Sequence, residues 1–269
     1  MTNFFSKLSL VTVGTAIAFL FTATSAVHAA TIALSTLQSG DLVRGETLTS
    51  VYYYGEDGMR YVFPNEEIYF TWYPDFKSVK WISDADLSKI QIGGNVTYKP
   101  GSKLIKLASD PRLYVVGKNG ALRTIVSETI AKELYGEMWN KQIQTLSDSF
   151  FKNYHIEGDI DLAAQYSPAF EQKNADSINT DKSLHSATTI HITSSGYDTP
   201  TIYIPTNRAV HWINDDVTNH SVSEWDSTWG SGTLKPGETF TKYFQTKGTW
   251  SYFSKYDEKS KVGGAIVVE

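Results

Sequence analysis

The chain has 269 residues, a formal net charge of -5 at pH 7 from 24 basic and 29 acidic side chains, and no cysteine. This mildly acidic balance argues against binding of nucleic acid or of anionic membranes through bulk electrostatics. Without cysteine, the chain has no disulfide and no thiolate for metal binding or catalysis. Its stability must come from packing, for which the 13% of aromatic residues supply apolar area.

The N-terminal segment predicts export. Lys7 precedes an apolar run without charges at residues 8–22, and small residues follow it up to Ala29. This order is typical of a secretory signal peptide, which we expect at residues 1–29, with cleavage after Ala29. A retained membrane anchor is the alternative, although the run is shorter than the ~20 residues that a span requires. The sequence therefore predicts a secreted or cell-surface protein without a stable membrane span after cleavage.

Residues 30–161 contain an internal repeat. Residues 51–63 align with residues 113–125 at an offset of about 62, and residues 81–87 align with residues 145–151 at an offset of about 64. The second copy thus carries a two-residue insertion. Two copies of one supersecondary unit are expected to pack together, because each is too small to bury its own apolar face.

Each copy predicts a hairpin followed by a helix. Asp57-Gly58 and Asn119-Gly120 are turn dipeptides between aromatic-rich and apolar strands, which is a strong hairpin signal. Asn65 and Ser127 are candidate N-caps of the helices that follow. Each helix has an apolar stripe at i, i+4, formed by Ile68 with Trp72 and by Ile130 with Leu134. A short strand and a last helical turn complete this ββα-like unit.

Five motifs mark the first copy: VYYYG at 51–55, RYVFPN at 60–65, YFTWY at 69–73, ISDADL at 82–87 and IGGNVTY at 92–98. They resemble a repeated aromatic-rich segment of uncharacterised exported proteins from small-genome candidate-phylum bacteria. The resemblance implies a surface or envelope module and carries no particular activity.

The last part of the chain, residues 187–269, predicts a β-sandwich. Six runs rich in β-branched and aromatic residues are separated by turn residues, and none has the length or period of a helix. These runs lie at residues 188–192, 201–204, 209–213, 239–244, 248–253 and 264–268. They predict about seven strands in an antiparallel sandwich.

Four motifs in this part carry a family resemblance: VHWINDD at 210–216, NHSV at 219–222, GTLKPGETF at 232–240 and GTWSY at 248–252. They resemble the plastocyanin type of cupredoxin, which implies a cupredoxin-like Greek-key β-sandwich. The predicted fold class is therefore mainly β with some α, with two ββα-like repeats ahead of this sandwich.

The same resemblance indicates a degenerate copper site. The family's first copper ligand, the His of the NHSV motif, corresponds to His220. The other three ligands lie in a Tyr-x-Cys-x-x-His-Pro-x-Met-x-Gly run, where this chain has Ser254 for Cys, Asp257 for His and Val262 for Met. Two extra residues in the loop leave the match of Asp257 open. Because a blue copper site depends on a thiolate, we expect no cofactor and at most a vestigial metal site at His220 and Asp257.

Other polar residues fit structural roles. His220 is alternatively a histidine held under a loop by backbone carbonyl groups, and His191 and His211 are half-exposed strand residues. The pairs Glu66-Glu67 and Asp215-Asp216 fit a first helical turn and a strand-end turn better than a glycosidase acid and nucleophile. The sequence also has no phosphate loop, nucleophile elbow or metalloprotease helix, so we expect no enzyme.

Residues 162–186 join the two predicted domains. This segment is rich in Gln, Asn, Asp, Ser and Thr and has few apolar residues. The composition predicts a polar, solvated linker.

These observations predict an exported binding or structural protein of the cell envelope, whose partner is an unknown envelope or extracellular component. One alternative is a cupredoxin-type metal-binding or electron-transfer protein. Another is a glycan- or peptide-binding module with an exposed aromatic platform, for which the candidates are Tyr52, Tyr53, Tyr54, Tyr69, Phe70, Trp72 and Tyr73. Their strand alternation and helical spacing favour a place in the core instead.

Overall fold

The computed structural model describes residues 30–257 and 263–269. The predicted signal peptide at residues 1–29 and Val262 lie outside these ranges. The fold is mainly β with some α, as the sequence predicts, and its described strands form two five-stranded and two four-stranded sheets. None of the helices in the described part of the chain is long and apolar enough to cross a membrane.

Copy 1 of the repeat, residues 42–95, is a mixed sheet with two helices. Its elements are β1 (Leu42–Gly45), β2 (Tyr52–Tyr54), β3 (Arg60–Val62), α1 (Glu66–Trp72), β4 (Val79–Ile82), α2 (Asp84–Lys89) and β5 (Ile92–Asn95). The strand order is β4-β1-β2-β3-β5. β2 and β3 form the predicted antiparallel hairpin, and the outer strands β4 and β5 run parallel to β1 and β3.

Copy 2, residues 104–160, has the same strand order. Its elements are β6 (Leu104–Leu107), β7 (Leu113–Val116), β8 (Ala121–Ile125), α3 (Glu128–Tyr135), β9 (Ile143–Leu146) and β10 (His155–Ile160). Starting from β9, the order is β9-β6-β7-β8-β10. A 3-10 helix at Asp148–Asn153 takes the place of α2.

The strand registers of the two copies also match. Leu42 pairs with Tyr53 in copy 1 as Leu104 pairs with Val115 in copy 2, at the offset of the sequence repeat. The pairs formed by β3 with β5 and by β8 with β10 match in the same way and share a register shift. The two copies therefore share one strand arrangement and one register. Each copy is larger than a ββα unit, since β1 or β6 precedes the hairpin and β5 or β10 follows the last helical turn.

The helices begin at the predicted caps. The side chain of Asn65 accepts a hydrogen bond from the Ile68 amide at 2.9 Å, and that of Ser127 accepts one from the Ile130 amide at 3.4 Å. These bonds satisfy amide groups that the first helical turn leaves unpaired.

One apolar cluster joins the two copies, as expected for a repeat that cannot bury its own face. It contains Tyr53 and Tyr61 of copy 1 with Tyr114 and Leu122 of copy 2. Tyr52, the sequence equivalent of Tyr114, lies instead in a separate cluster of copy 1.

Residues 162–186 differ from the expected solvated linker. They contain α4 (Pro168–Asn174) and α5 (Ile178–Lys182). Ile178 is fully buried, and it belongs with Leu184 to the cluster that joins the two copies. The polar composition did not predict this packing, because two buried apolar side chains are enough to attach a short polar segment to the core.

α5 also bonds to both hairpin turns. Asn179 Oδ1 accepts a hydrogen bond from the Glu56 amide at 3.0 Å, and Asp181 Oδ1 accepts one from the Asn119 amide at 2.8 Å. Glu56 and Asn119 lie in the turns of copy 1 and copy 2, respectively. The segment therefore holds the two copies together.

The C-terminal part is a sandwich of two four-stranded sheets. Its strands are β11 (Thr188–Thr193), β12 (Gly196–Tyr197), β13 (Thr201–Ile204), β14 (Arg208–Asn214), β15 (Ser223–Glu224), β16 (Thr239–Phe244), β17 (Gly248–Phe253) and β18 (Gly263–Val268). The sheet orders are β12-β11-β14-β16 and β13-β18-β17-β15. All six predicted strands are present, but the sheets are mixed, since β14 is parallel to β11 and β18 to β13. Trp212, fully buried, lies in the core between the sheets.

The sandwich docks on copy 1 through β16. The Tyr243 hydroxyl donates to Asp57 Oδ2 at 2.6 Å, and the Thr241 amide donates to Gln91 Oε1 at 3.1 Å. The Tyr61 hydroxyl donates to the same oxygen of Asp57, whose side chain is fully buried. Asp57 thus joins the hairpin of copy 1 to the sandwich.

Candidate functional site

The structure brings the two predicted metal-site residues together. His220 is 3% exposed, and its backbone is paired with Leu234 by two hydrogen bonds. Its Nδ1 lies 2.9 Å from Asp257 Oδ2. The two side chains are therefore in contact.

A second carboxylate, which the sequence did not indicate as a partner, occupies the other side of the ring. His220 Nε2 lies 2.8 Å from Asp216 Oδ2, and the Thr218 hydroxyl donates to the same oxygen at 2.7 Å. These bonds, with one from the Val217 amide, hold the pKa of Asp216 below its usual value. His220 is thus held by carboxylates rather than by the backbone carbonyl groups expected from the sequence. The sequence carries no signal for this contact, because residues 215–219 form a loop, in which a spacing of four residues does not by itself bring two side chains together.

Asn214 at the end of β14 sets the path of this loop. The Asn214 side chain is fully buried, and its Nδ2 donates to the carbonyl oxygens of Thr218 and Leu234, each at 2.8 Å. Its Oδ1 accepts from the Asp216 amide at 3.1 Å. A single amide side chain therefore fixes the loop that presents both Asp216 and His220.

Ser254, which the sequence analysis compares with a copper-binding cysteine, also forms hydrogen bonds within the sandwich. Its side chain is fully buried. Its Oγ accepts from the amides of Ser221 and Tyr256 at 3.2 and 3.3 Å. The hydroxyl therefore stabilises the loop after β17.

These residues do not fit a copper ion. Ser254 offers a neutral hydroxyl in place of a thiolate, and the two carboxylates lie at opposite nitrogens of His220, so that they do not converge on one point. Within residues 30–257 and 263–269, no group of three His, Cys, Asp or Glu side chains is placed to hold a metal ion. The predicted Val262 position lies outside this description.

The cluster is also unsuited to nucleophilic catalysis. In a catalytic triad, one histidine nitrogen faces the carboxylate and the other faces the nucleophile. Here Asp216 occupies the second nitrogen of His220, and Ser254 is held by backbone amides. The arrangement joins three loops of the sandwich, at residues 215–220, 232–234 and 254–257.

The aromatic candidates lie mainly in the core. Tyr53 and Tyr69 are almost fully buried, and Trp72 is half-buried with its Nε1 donating to the Thr97 carbonyl at 2.8 Å. Phe70 is the candidate with a largely exposed ring. A continuous stacking platform is therefore not formed by this set.

No family model and no curated protein matches the chain. Solved structures of cupredoxins match part of it. A purple cupredoxin from Nitrosopumilus maritimus is 22% identical, and the match covers 30% of this chain and 99% of that chain with a TM-score of 0.29. A Cu(I) form of an amicyanin mutant is 22% identical over 31% of this chain and 82% of that chain, with a TM-score of 0.28.

A Cu-containing nitrite reductase from Thermus scotoductus SA-01 is 19% identical over 31% of this chain and 22% of that chain, with a TM-score of 0.29. This chain thus spans about a fifth of that enzyme. At these identities, the likeness concerns the fold alone.

Proposed function

We propose that this protein is an exported, non-enzymatic binding or structural protein of the cell envelope, whose cupredoxin-like sandwich works without copper. The observation that carries the copper-free part of the proposal is the pairing of both ring nitrogens of His220 with carboxylates, those of Asp216 and Asp257. A copper ion requires a lone pair on one of these nitrogens, and each is already engaged in a hydrogen bond. The partner is an envelope or extracellular component rather than nucleic acid.

Two further features support a structural use of the sandwich. Ser254 stabilises a loop instead of offering a soft ligand. In addition, β16 packs against copy 1, and Tyr243 bonds to the buried Asp57. The export part of the proposal rests on the composition of residues 1–29, which predicts that the mature chain begins at Ala30.

The test is a titration of the chain beginning at Ala30 with Cu(II), followed by calorimetry and absorption. We expect no intense thiolate-to-copper band and no one-to-one binding tighter than about 1 µM. His220→Ala should leave the weak residual binding as it is. His191→Ala is the matched control, because His191 is a half-exposed histidine that pairs with the Asp215 carboxylate elsewhere in the sandwich.

A tight one-to-one site that His220→Ala abolishes would contradict the proposal. That result would favour the alternative of a metal-binding or electron-transfer protein. Mass spectrometry of the exported protein gives an independent check of location, since a chain that still contains residues 1–29 would contradict cleavage.

A further inference from the structure

The hairpin surface of copy 1 is already used for recognition within the chain. Its turn presents Asp57 to Tyr243, and the residue before β5, Gln91, accepts a hydrogen bond from Thr241. The Lys182 Nζ lies 5.6 Å from the centre of the Tyr61 ring, on the same hairpin. The sandwich and the end of α5 therefore meet on this surface.

The equivalent surface of copy 2 forms a cavity of about 440 Å³. Its lining comes from the hairpin and β10 of copy 2 and from the segment after it, which contributes Tyr166, Glu171 and Ser183. A volume of this size lies within the range of small-molecule sites, about 300–1,000 Å³. In copy 1, this surface binds the sandwich. In copy 2, the corresponding surface is an open cavity.

Matching positions of the two copies carry different chemistry. The strand registers equate each lining residue of copy 2 with one residue of copy 1. Copy 2 has ionisable side chains at four of these positions, namely Lys118 for Glu56, Arg123 for Tyr61, His155 for Gln91 and Glu157 for Gly93. Three of the four counterparts in copy 1 are uncharged. The repeat has therefore placed charges of both signs around the cavity.

Two charged side chains at the cavity, those of Arg123 and Glu171, are half-buried and are not joined in a salt bridge. The Arg123 guanidinium donates to the carbonyl oxygens of Gln165 and Asp159 at 3.0 and 3.4 Å. Burial raises the pKa of the Glu171 carboxyl on α4, and the nearby Arg123 offsets only part of that rise. Among the ion pairs formed within the described ranges, none includes Arg123 or Glu171. Charges that are partly removed from water and not joined in an ion pair are costly, and a ligand that bonds to both of them would offset that cost.

We propose that this cavity binds a ligand with both a carboxylate and an ammonium group, namely a free amino acid or a short peptide. Arg123 and Lys118 receive the carboxylate, and Glu171 receives the ammonium. Arginine suits this role because its planar fork of donors matches a carboxylate. The inference rests on the proposed binding role of the protein and assigns it a site and a ligand class.

A cavity of about 450 Å³ in the sandwich is the closest rival. Its hydroxyl groups already bond to one another, since Ser221 pairs with Ser223 at 3.2 Å and Thr233 pairs with Tyr256 at 2.6 Å. Among its described lining residues the one charge is that of Lys255, which is exposed, so this cavity lacks the half-buried charges of both signs that mark the cavity of copy 2.

The test uses calorimetry of the chain beginning at Ala30 with alanine and with alanine peptides of about two to four residues, which cover spans up to about 14 Å. At least one probe should bind saturably. Blocking either end of that probe, by N-acetylation or C-amidation, should weaken binding about tenfold or more, because each block removes a charge-assisted interaction. No saturable binding of any probe at about 10 mM would overturn the proposal.

Two variants assign the ends of the probe. In Glu171→Gln, N-acetylation of the probe should weaken binding less than it does in the parent, and in Arg123→Gln, C-amidation should weaken binding less than it does in the parent. Lys106→Gln and Glu133→Gln are matched controls, because they remove exposed charges of copy 2 outside the cavity, and they should bind like the parent.

Binding that is indifferent to both end groups, or unchanged in both cavity variants, would contradict the proposal. Binding of a chitotetraose probe in place of the alanine probes would also contradict it and would indicate a glycan site. These outcomes are separate from the copper titration, because that experiment reports on His220 in the sandwich and this one on copy 2.

Discussion

The two hairpins of the repeat have the same strands and the same registers, yet they end in different environments. In copy 1, Asp57 is buried and accepts hydrogen bonds from the hydroxyl groups of Tyr61 and Tyr243. In copy 2, Asn119 at the matching position is exposed, and Arg123 replaces the tyrosine. The difference indicates that the repeat is a scaffold whose turn surface can be specialised, in copy 1 for docking and in copy 2 for a charged cavity.

The difference between the two hairpin turns should appear most strongly when Asp57 and its counterpart Asn119 are each replaced by alanine. Asp57→Ala leaves the Tyr61 and Tyr243 hydroxyls and the Met59 amide without their acceptor. We expect a loss of about 3–5 kcal/mol in the free energy of unfolding, measured by urea denaturation. Asn119→Ala should cost about 1 kcal/mol, mainly because Ala tolerates a left-handed backbone poorly. Equal losses in the two variants would argue against the specialisation of copy 1.

The segment that joins the hairpins offers a second comparison, between a buried and an exposed side chain. Ile178 on α5 is fully buried, whereas Phe170 on α4 is 61% exposed. Ile178→Ala should cost about 2–3 kcal/mol and should speed proteolysis within residues 162–186. Phe170→Ala should change stability by less than about 0.5 kcal/mol. If both variants were cut at the parent rate and melted like the parent, the segment would be a solvated linker after all.

The smallest effect concerns pH and the docking face of the sandwich. Burial lowers the pKa of His211 from 6.5, His191 lowers it further, and Asp57 opposes the shift. His211 therefore binds a proton more readily in the unfolded chain than in the folded protein. Its contribution to the free energy of unfolding is fully present above pH 6.5 and is lost as the pH falls from 6.5 toward the lower pKa of the folded state. His211→Gln should therefore lose less stability than the parent over this window in acid denaturation. An equal loss of stability in the parent and in His211→Gln would exclude His211 as a source of this pH dependence.

Local signals made much of the repeat predictable. The turn dipeptides and the caps Asn65 and Ser127 act within a few residues, and the structure has them as predicted. α5 was missed because its stability comes from Ile178 in a distant core, and a polar segment carries no local sign of that contact. The strand β1 was missed because its four residues form a sheet only through their partners.

The candidate site shows the same limit. The proximity of His220 and Asp257 followed from a sequence alignment, and the structure places them in contact. The role of Asp216 could not be predicted, because it depends on a loop path that the buried Asn214 fixes. The charged cavity of copy 2 was missed for a related reason, since its residues are distant in sequence.

The sandwich docks on copy 1 through the contact between Asp57 and Tyr243. A double-mutant cycle with Asp57→Asn and Tyr243→Phe tests this contact most directly, with urea unfolding as the measurement. We expect a coupling energy between about 0.5 and 3 kcal/mol for this pair. We also expect additivity between Asp57→Asn and Tyr166→Phe, because the Tyr166 hydroxyl bonds to Val116 in copy 2. Losses for Asp57 and Tyr243 that add within about 0.3–0.5 kcal/mol would contradict docking through this contact.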